Sequence, residues 1–261
     1  MDDLTRQTEL RKVVVKANEL ITKSRFDLTL QQQKMVLFLI SRIKPFSVDF
    51  ELFEFKIRDF CRICGIDETS GKNYETLKAN IKTIADKSIW VKLPNGKETL
   101  LRWIEKPYID EKSGTIKIRL DNDMKPFLLE LNKNFTRYEL LYAMNFKSKY
   151  TIRLYEYVKA IHYYNEEEES YSFSISLEEL KERMGAGKYT AFKDFHRRAL
   201  KPAIEEINRF SDKEIEYDFI KKGKSVVSIK MNVRDHLLCE MEQIQKDIEN
   251  SLNMEQLSLF D

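Results

Sequence analysis

The stretch Ala191-Phe-Lys-Asp-Phe-His-Arg-Arg-Ala-Leu-Lys-Pro-Ala-Ile-Glu-Glu-Ile-Asn208 decides how the chain is read. Phe192, Phe195, Ala199, Ile204 and Ile207 recur near helical spacing and form a stripe that can be buried. Lys193, His196, Arg197, Arg198 and Lys201 spread over the remaining surface. After Ser211-Asp212 the period falls from about 3.6 to about 2: Ile215, Tyr217 and Phe219 alternate, as do Val227, Ile229 and Met231. Between these strands Lys221-Lys-Gly-Lys224 makes a tight turn tipped with cations. A basic helix followed by a basic-tipped hairpin is the pattern of a recognition helix and its wing, the DNA-reading part of a winged helix. Pro202 is expected to kink the helix and aim its two halves separately.

Working outward, the same plan stands earlier in the chain at an offset of 120 residues. Phe53, Phe55, Ile57, Phe60 and Gly65 correspond to Phe173, Ile175, Leu177, Leu180 and Gly185. A helix at 73–87, with Leu77, Ile81, Ile84 and Ala85 inward, answers to 191–208. A hairpin of Ile89–Leu93 and Thr99–Glu105 over Pro94-Asn-Gly-Lys97 answers to 215–231. Leu30–Ile43, with Thr29 as N-cap, reads as a central helix whose counterpart is Lys149–Tyr164. Residues 13–24 read as an opening helix, Thr115–Leu120 as a further strand, and Met124–Leu131 as a short helix. The ordered recurrence predicts an α+β chain of two tandem winged helices, residues 1–140 and 141–234, followed by an acidic helix and tail over 235–261.

Composition agrees with this plan. A chain of 261 residues is comfortable for two domains, and 16 Phe and 12 Tyr supply packed cores, which is where these aromatics are expected to lie. With 7 Gly and 5 Pro there is little material for nucleotide-cradling loops or flexible linkers. No stretch approaches 18 uninterrupted apolar residues and Met1-Asp-Asp-Leu lacks the positive start of a signal peptide, so a soluble intracellular protein without a membrane partner is expected. The net charge of +2 hides a sorting of charge: residues 235–261 carry seven acids and one Lys, while 181–201 carry seven Lys/Arg and two acids.

The chemistry of enzymes is missing from the pattern. Cys61-x-x-Cys64 lacks two further ligands, since Cys239 stands alone and the 3 His are scattered at 162, 196 and 236, so core packing is the reading and no metal or cofactor is expected. Glu166-Glu-Glu-Glu169 reads as a solvated turn. His162-Tyr-Tyr164 lacks the His-hydrophobic-His pair that a tyrosine nicking nuclease would show, and no catalytic residue is assigned.

Three blocks carry a family resemblance. Val14-Val-Lys-Ala-Asn-Glu-Leu-Ile21 with Leu28-Thr-Leu-Gln-Gln-Gln-Lys34 resembles the opening of the replication initiator (Rep) proteins of iteron-containing bacterial plasmids. Tyr150-Thr-Ile-Arg-Leu-Tyr-Glu-Tyr157 resembles the helix that opens their second domain. Phe195-x-x-x-x-Leu-x-Pro-Ala-x-x-Glu-Ile-Asn208, Ser211-Asp212 and Ile220-x-x-Gly223 resemble their recognition block, the most specific of the three. The resemblance implies binding to directly repeated origin DNA by a monomer that helps open the origin. It also implies a dimer, joined through the first domain, that represses its own promoter. A dimeric winged-helix repressor without initiator activity is the alternative.

In the second domain, Lys188, Tyr189, Lys193, His196, Arg197 and Arg198 occupy the part of the helix that would enter the major groove. Arg197 and Arg198 suit guanine edges, because a guanidinium fork meets O6 and N7 together. Lys193 and Lys201 suit phosphates, as do Lys221, Lys222 and Lys224 from the wing. In the first domain Lys72, Lys78, Lys82 and Lys97 take the corresponding positions, on a helix with no Arg that is expected to position rather than read. In the tail, Val233, Leu237, Met241, Ile244 and Ile248 suggest an amphipathic helix, and Gln256-Leu257-Ser258-Leu259-Phe260 resembles the short peptide that docks bacterial replication proteins on the polymerase sliding clamp. That tail separates an initiator, which recruits host replication proteins, from a plain repressor.

Overall fold

Thr29 starts the helix around which the first half of the chain is packed. Its hydroxyl accepts the Gln32 N–H at 3.3 Å while the Gln32 side chain accepts the Thr29 N–H at 3.1 Å, so two otherwise orphaned donors are satisfied reciprocally. The computed structural model describes residues 3–64, 71–92, 96–162 and 170–257, with side chains placed for 5–64, 74–92, 96–162 and 170–251. Gly65, Leu93–Asn95, Tyr163–Tyr164, Glu166–Glu169 and Ser258–Phe260 lie outside the described residues. The chain divides into two compact units, Met1–Met144 and Asn145–Asp261.

The first unit runs α1 (Asp3–Leu10), β1 (Val13–Ala17), α2 (Asn18–Thr22), β2 (Ser24–Arg25), α3 (Leu30–Ser41), β3 (Phe53–Lys56), α4 (Ile57–Cys64), α5 (Gly71–Asp86), β4 (Ser88–Lys92), β5 (Glu98–Arg102), β6 (Tyr108–Asp110), β7 (Thr115–Ile118), α6 (Lys125–Leu128), β8 (Phe135–Glu139) and α7 (Leu140–Asn145). Every residue of α3 from Gln32 to Ser41 is buried, and the Lys34 Nζ donates to the Met144 carbonyl at 2.6 Å. Phe38, Phe55 and Phe60 form one aromatic cluster against α3, and Cys61 and Cys64 are buried on α4.

The expected opening helix over 13–24 is wrong for its first half. Val13–Ala17 is a strand, paired antiparallel with β8 from Val13↔Glu139 to Ala17↔Phe135, and only Asn18–Thr22 is helical. Three consecutive β-branched valines favour a strand, and the partner that claims them lies more than a hundred residues away. The repeat also fails in its sheet. The hairpin β4–β5 takes its third strand from β2, whereas β3 pairs with β7 and β7 with β6. Three aromatics depart from the expected core placement: Phe46 is fully exposed, and Tyr108 and Phe219 are also exposed.

The second unit runs α8 (Lys149–His162), β9 (Ser170–Ser176), α9 (Leu177–Arg183), α10 (Phe192–Phe195), a π-turn (His196–Leu200), α11 (Lys201–Phe210), β10 (Lys213–Lys222), β11 (Ser225–Asp235) and α12 (Leu238–Leu257). Its sheet has the order β10-β11-β9, all antiparallel. The β10–β11 turn closes at Lys222↔Ser225, and Gly223 sits at φ 62°, in the left-handed region that a side chain disfavours. Phe195, Ala199, Leu200, Ala203, Ile204 and Ile207 are buried as the helical stripe required, while Phe192 is half-buried.

The break expected at Pro202 takes the form of the π-turn just before it. The Lys201 N–H closes on the His196 carbonyl, five residues back instead of four. Widening the helix there relieves the clash between the proline ring and the carbonyl of Arg198. In the C-terminal helix, Ile244 and Ile248 are buried, but Val233 belongs to β11 and Leu237 is exposed ahead of the helix. The helix is latched by Arg234, which donates to Glu240 at 2.8 and 2.9 Å, and by Arg209 on Asp247 at 3.0 Å.

Candidate nucleic-acid interface

The α10–α11 helix of the second unit is fastened along its back. Glu206 on α11 accepts from the Lys147 N–H at 3.1 Å and from the Thr151 hydroxyl at 2.5 Å, which fastens it to the start of α8. Asn208 pairs with the backbone of Ile215 in both directions, donating at 3.0 Å and accepting at 2.8 Å, and so sets where β10 leaves the helix. Asp212 accepts from Tyr155 at 2.6 Å and Lys159 at 2.5 Å. Burial pushes the Asp212 carboxyl up, but Lys159 and the Tyr155 hydroxyl outweigh it and hold the group below its usual range.

The front of the helix is cationic and open. Arg197 and Arg198 each keep 61% of their side chain exposed, and both lean on Asp194, at 3.0 and 3.8 Å. Lys201 is exposed and lies 3.7 Å from Glu205. Such exposed pairs within one helix are worth well under about 1 kcal/mol, so phosphates can displace the acids at small cost. Lys193 is exposed, and Lys188 is exposed with its Nζ 5.2 Å from the centre of the Tyr189 ring. Tyr189 is half-buried and packs edge-on against Tyr150 at 6.0 Å. Lys221, Lys222 and Lys224 are all exposed at the wing tip. The second unit therefore gathers the cations of helix and wing on exposed positions.

His196 is placed differently from its neighbours. Its Nε2 lies 2.8 Å from the Tyr217 hydroxyl on β10, Phe192 stacks on it at 5.7 Å, and Phe219 meets it edge-on at 5.2 Å. Burial, with Lys201 adding to it, holds its pKa below 6.5 against the opposing Glu205. The alternation of Tyr217 and Phe219 marked them as facing one side of the strand; what the pattern could not show is that this side faces the basic helix.

In the first unit the corresponding lysines also have acidic neighbours and stay largely exposed, Lys78 at 52% and Lys82 at 77%. Lys78 pairs with Glu111 at 3.5 Å and lies over the Tyr74 ring, and Lys82 pairs with Asp86. The Tyr74 hydroxyl is pushed up to about 12 by desolvation and by its bond with Glu111. Lys97 is exposed at the hairpin tip, and Lys72 lies on α5 with its side chain outside the described residues. Gln256 and Leu257 end α12, again without described side chains. Among the described residues no group of three His, Cys, Asp or Glu is placed to hold a metal, and no helix is long and apolar enough to cross a membrane.

A helix–short helix–recognition helix–hairpin order in each half, with exposed cations on helix and wing, defines a protein with two winged-helix domains. Family models agree and are specific: residues 13–159 match the first winged-helix domain of initiator replication proteins, and residues 176–233 match the second. The chain belongs to the initiator Rep protein family. It is 25% identical over 249 residues to a replication initiation protein of Escherichia coli, covering 89% of this chain and 74% of that one. Its fold is similar to that of the Pi initiator protein solved in complex with iteron DNA, with a TM-score of 0.67 and 22% identity over 87% of this chain and 98% of that one.

Proposed function

We propose that the protein is a plasmid replication initiator whose second winged helix reads directly repeated origin DNA. The observation that carries this is the set Lys193, Arg197, Arg198 and Lys201, exposed on a helix whose back is fastened at Glu206, Asn208 and Asp212. Arg197 and Arg198 read guanine edges, each good pair discriminating by about 1–3 kcal/mol. Lys188, Lys193, Lys201, Lys221, Lys222 and Lys224 neutralise phosphates, and Lys72, Lys78, Lys82 and Lys97 add backbone contacts from the first domain. A likeness to a protein solved on iteron DNA supports duplex DNA as the ligand. A monomer binds the repeats in the cytoplasm and helps open the origin, while a dimer joined through the first domain represses the promoter.

Footprinting on the DNA flanking its own gene tests this reading. Protections repeating at about two helical turns support monomers on direct repeats, and a single palindromic footprint sinks the initiator assignment in favour of a repressor. Gln256–Phe260 docks on the host sliding clamp, with Leu259 and Phe260 filling an apolar pocket and Gln256 supplying a directional hydrogen bond. Deleting Gln256–Asp261 is expected to abolish clamp capture in a pull-down and to spare DNA binding.

A further inference from the structure

His196 lies in the middle of the most basic segment of the chain, yet it faces the wing. Its Nε2 meets the Tyr217 hydroxyl at 2.8 Å, and three rings close around it: Phe192 at 5.7 Å, Phe219 at 5.2 Å and Tyr217 at 5.9 Å between ring centres. Phe219 in turn meets Phe192 at 5.1 Å and Tyr217 at 5.6 Å, so the four rings form one cluster spanning helix and strand β10. The cluster sits where the helix is least regular. His196 is the first residue of the π-turn, its carbonyl receives the five-residue bond from Lys201, and Arg197 and Arg198 follow immediately.

A π-turn adds about one residue to the local winding, so the helix before it and the helix after it are out of phase. Backbone bonds at that point do not fix the direction of the arginines as a regular helix would, and a side-chain contact to the sheet is left to do so. The His196–Tyr217 bond is the polar contact of the cluster, and it is short, directional and half-shielded from water. Rings in edge and stacked contact add to what burial alone supplies.

We propose that His196 is a positioning residue: pinned to Tyr217 on the wing strand, it sets the direction in which Arg197 and Arg198 leave the π-turn and thereby sharpens base discrimination without touching DNA. This rests on the reading of Arg197 and Arg198 as base contacts. It assigns to Tyr217, Phe192 and Phe219 a role in specificity that exposure and charge alone do not suggest.

The test uses the full chain and two duplexes: one selected by the wild-type protein from a random-sequence pool, and a scrambled version. Affinities are measured by fluorescence anisotropy across a salt series. Tyr217→Phe, which removes one oxygen and keeps the ring, is expected to weaken the selected duplex about five-fold, the usual worth of one net hydrogen bond. The scrambled duplex and the salt slope should stay as they are. His196→Ala should do at least as much, His196→Gln should recover part of the loss, and adding Tyr217→Phe to His196→Ala should cost nothing further. An unchanged ratio of the two affinities in Tyr217→Phe overturns the pin. So does an equal loss on both duplexes in His196→Ala with a salt slope lowered by about one, which would make His196 a phosphate contact. Should Arg197→Ala and Arg198→Ala also leave the ratio unchanged, the base-reading assignment itself falls.

Discussion

Helix α5 of the first unit and the α10–α11 helix of the second occupy the same place in the same element order, and they present different cations, lysines alone in the first and arginines among lysines in the second. In the second, Arg197 and Arg198 share one neighbouring acid, Asp194, and both stay 61% exposed. In the first, the extra strands β6 and β7 carry Glu111 over the helix, where it engages Lys78 and Tyr74, and Asp86 takes Lys82. The joints between helix and hairpin differ as well. Asp212 is fixed by Tyr155 and Lys159, whereas at the first joint the half-buried Lys87 makes a solvent-exposed bond to the Asp27 carbonyl. One scaffold thus carries a lysine face whose Lys78 meets an acid from outside the helix, and an arginine-bearing face whose acids, Asp194 and Glu205, lie on the helix itself.

The sharpest way to break the comparison is to remove its cations. Replacing both Arg197 and Arg198 by Ala should cost from about 30-fold to about 20,000-fold on a selected duplex, at about 1–3 kcal/mol for each lost pair, and abolish preference over a scrambled one. Replacing both Lys78 and Lys82 should weaken both duplexes alike by no more than a few-fold and flatten the salt slope. Equal losses from the two pairs, read by anisotropy, would erase the distinction.

The joints come next. Asp212→Ala should lower stability by about 3 kcal/mol in a denaturant titration, because it strands the part-buried Lys159, while Lys87→Ala should cost under about 0.5 kcal/mol. The Asp212 carboxyl lies below 3.8 in the folded protein, so the unfolded chain takes up its proton first as pH falls. Its contribution is therefore present above about pH 4 and lost below it, and Asp212→Ala should flatten the acid limb of the stability profile.

The smallest effect sharpens the account of screening. Asp194→Asn and Glu111→Gln should each raise duplex affinity, by about two- to five-fold at low salt, with the gain fading as ionic strength rises. An Asp194→Asn protein that binds no better at low salt would show that the acid costs the arginines nothing.

Much of this molecule was legible beforehand. The Thr29 cap, the buried stripe through Phe195, Ala199 and Ile207, the turn at Gly223 and the repeated order of elements all follow from local rules of period, cap and turn. In the recognition block, the residues that carried the family resemblance are inward or structural except Ile220, which is exposed. Phe195, Leu200, Ala203 and Ile207 are buried, Glu206, Asn208, Ser211 and Asp212 hold the helix to its surroundings, and Gly223 takes a positive φ. What was misread depended on distant partners: Val13–Ala17 becomes a strand because β8 is there to pair with it, and β3 leaves the hairpin because β7 claims it.

By itself, then, the sequence determined two basic helix-and-hairpin units, because periodicity and turn chemistry act over a few residues and survive any tertiary context. Only the folded chain decided which cations stay open, which way His196 faces, and how each sheet is completed. Those outcomes depend on groups brought close from far along the chain, and charge screening and strand pairing are properties of such encounters.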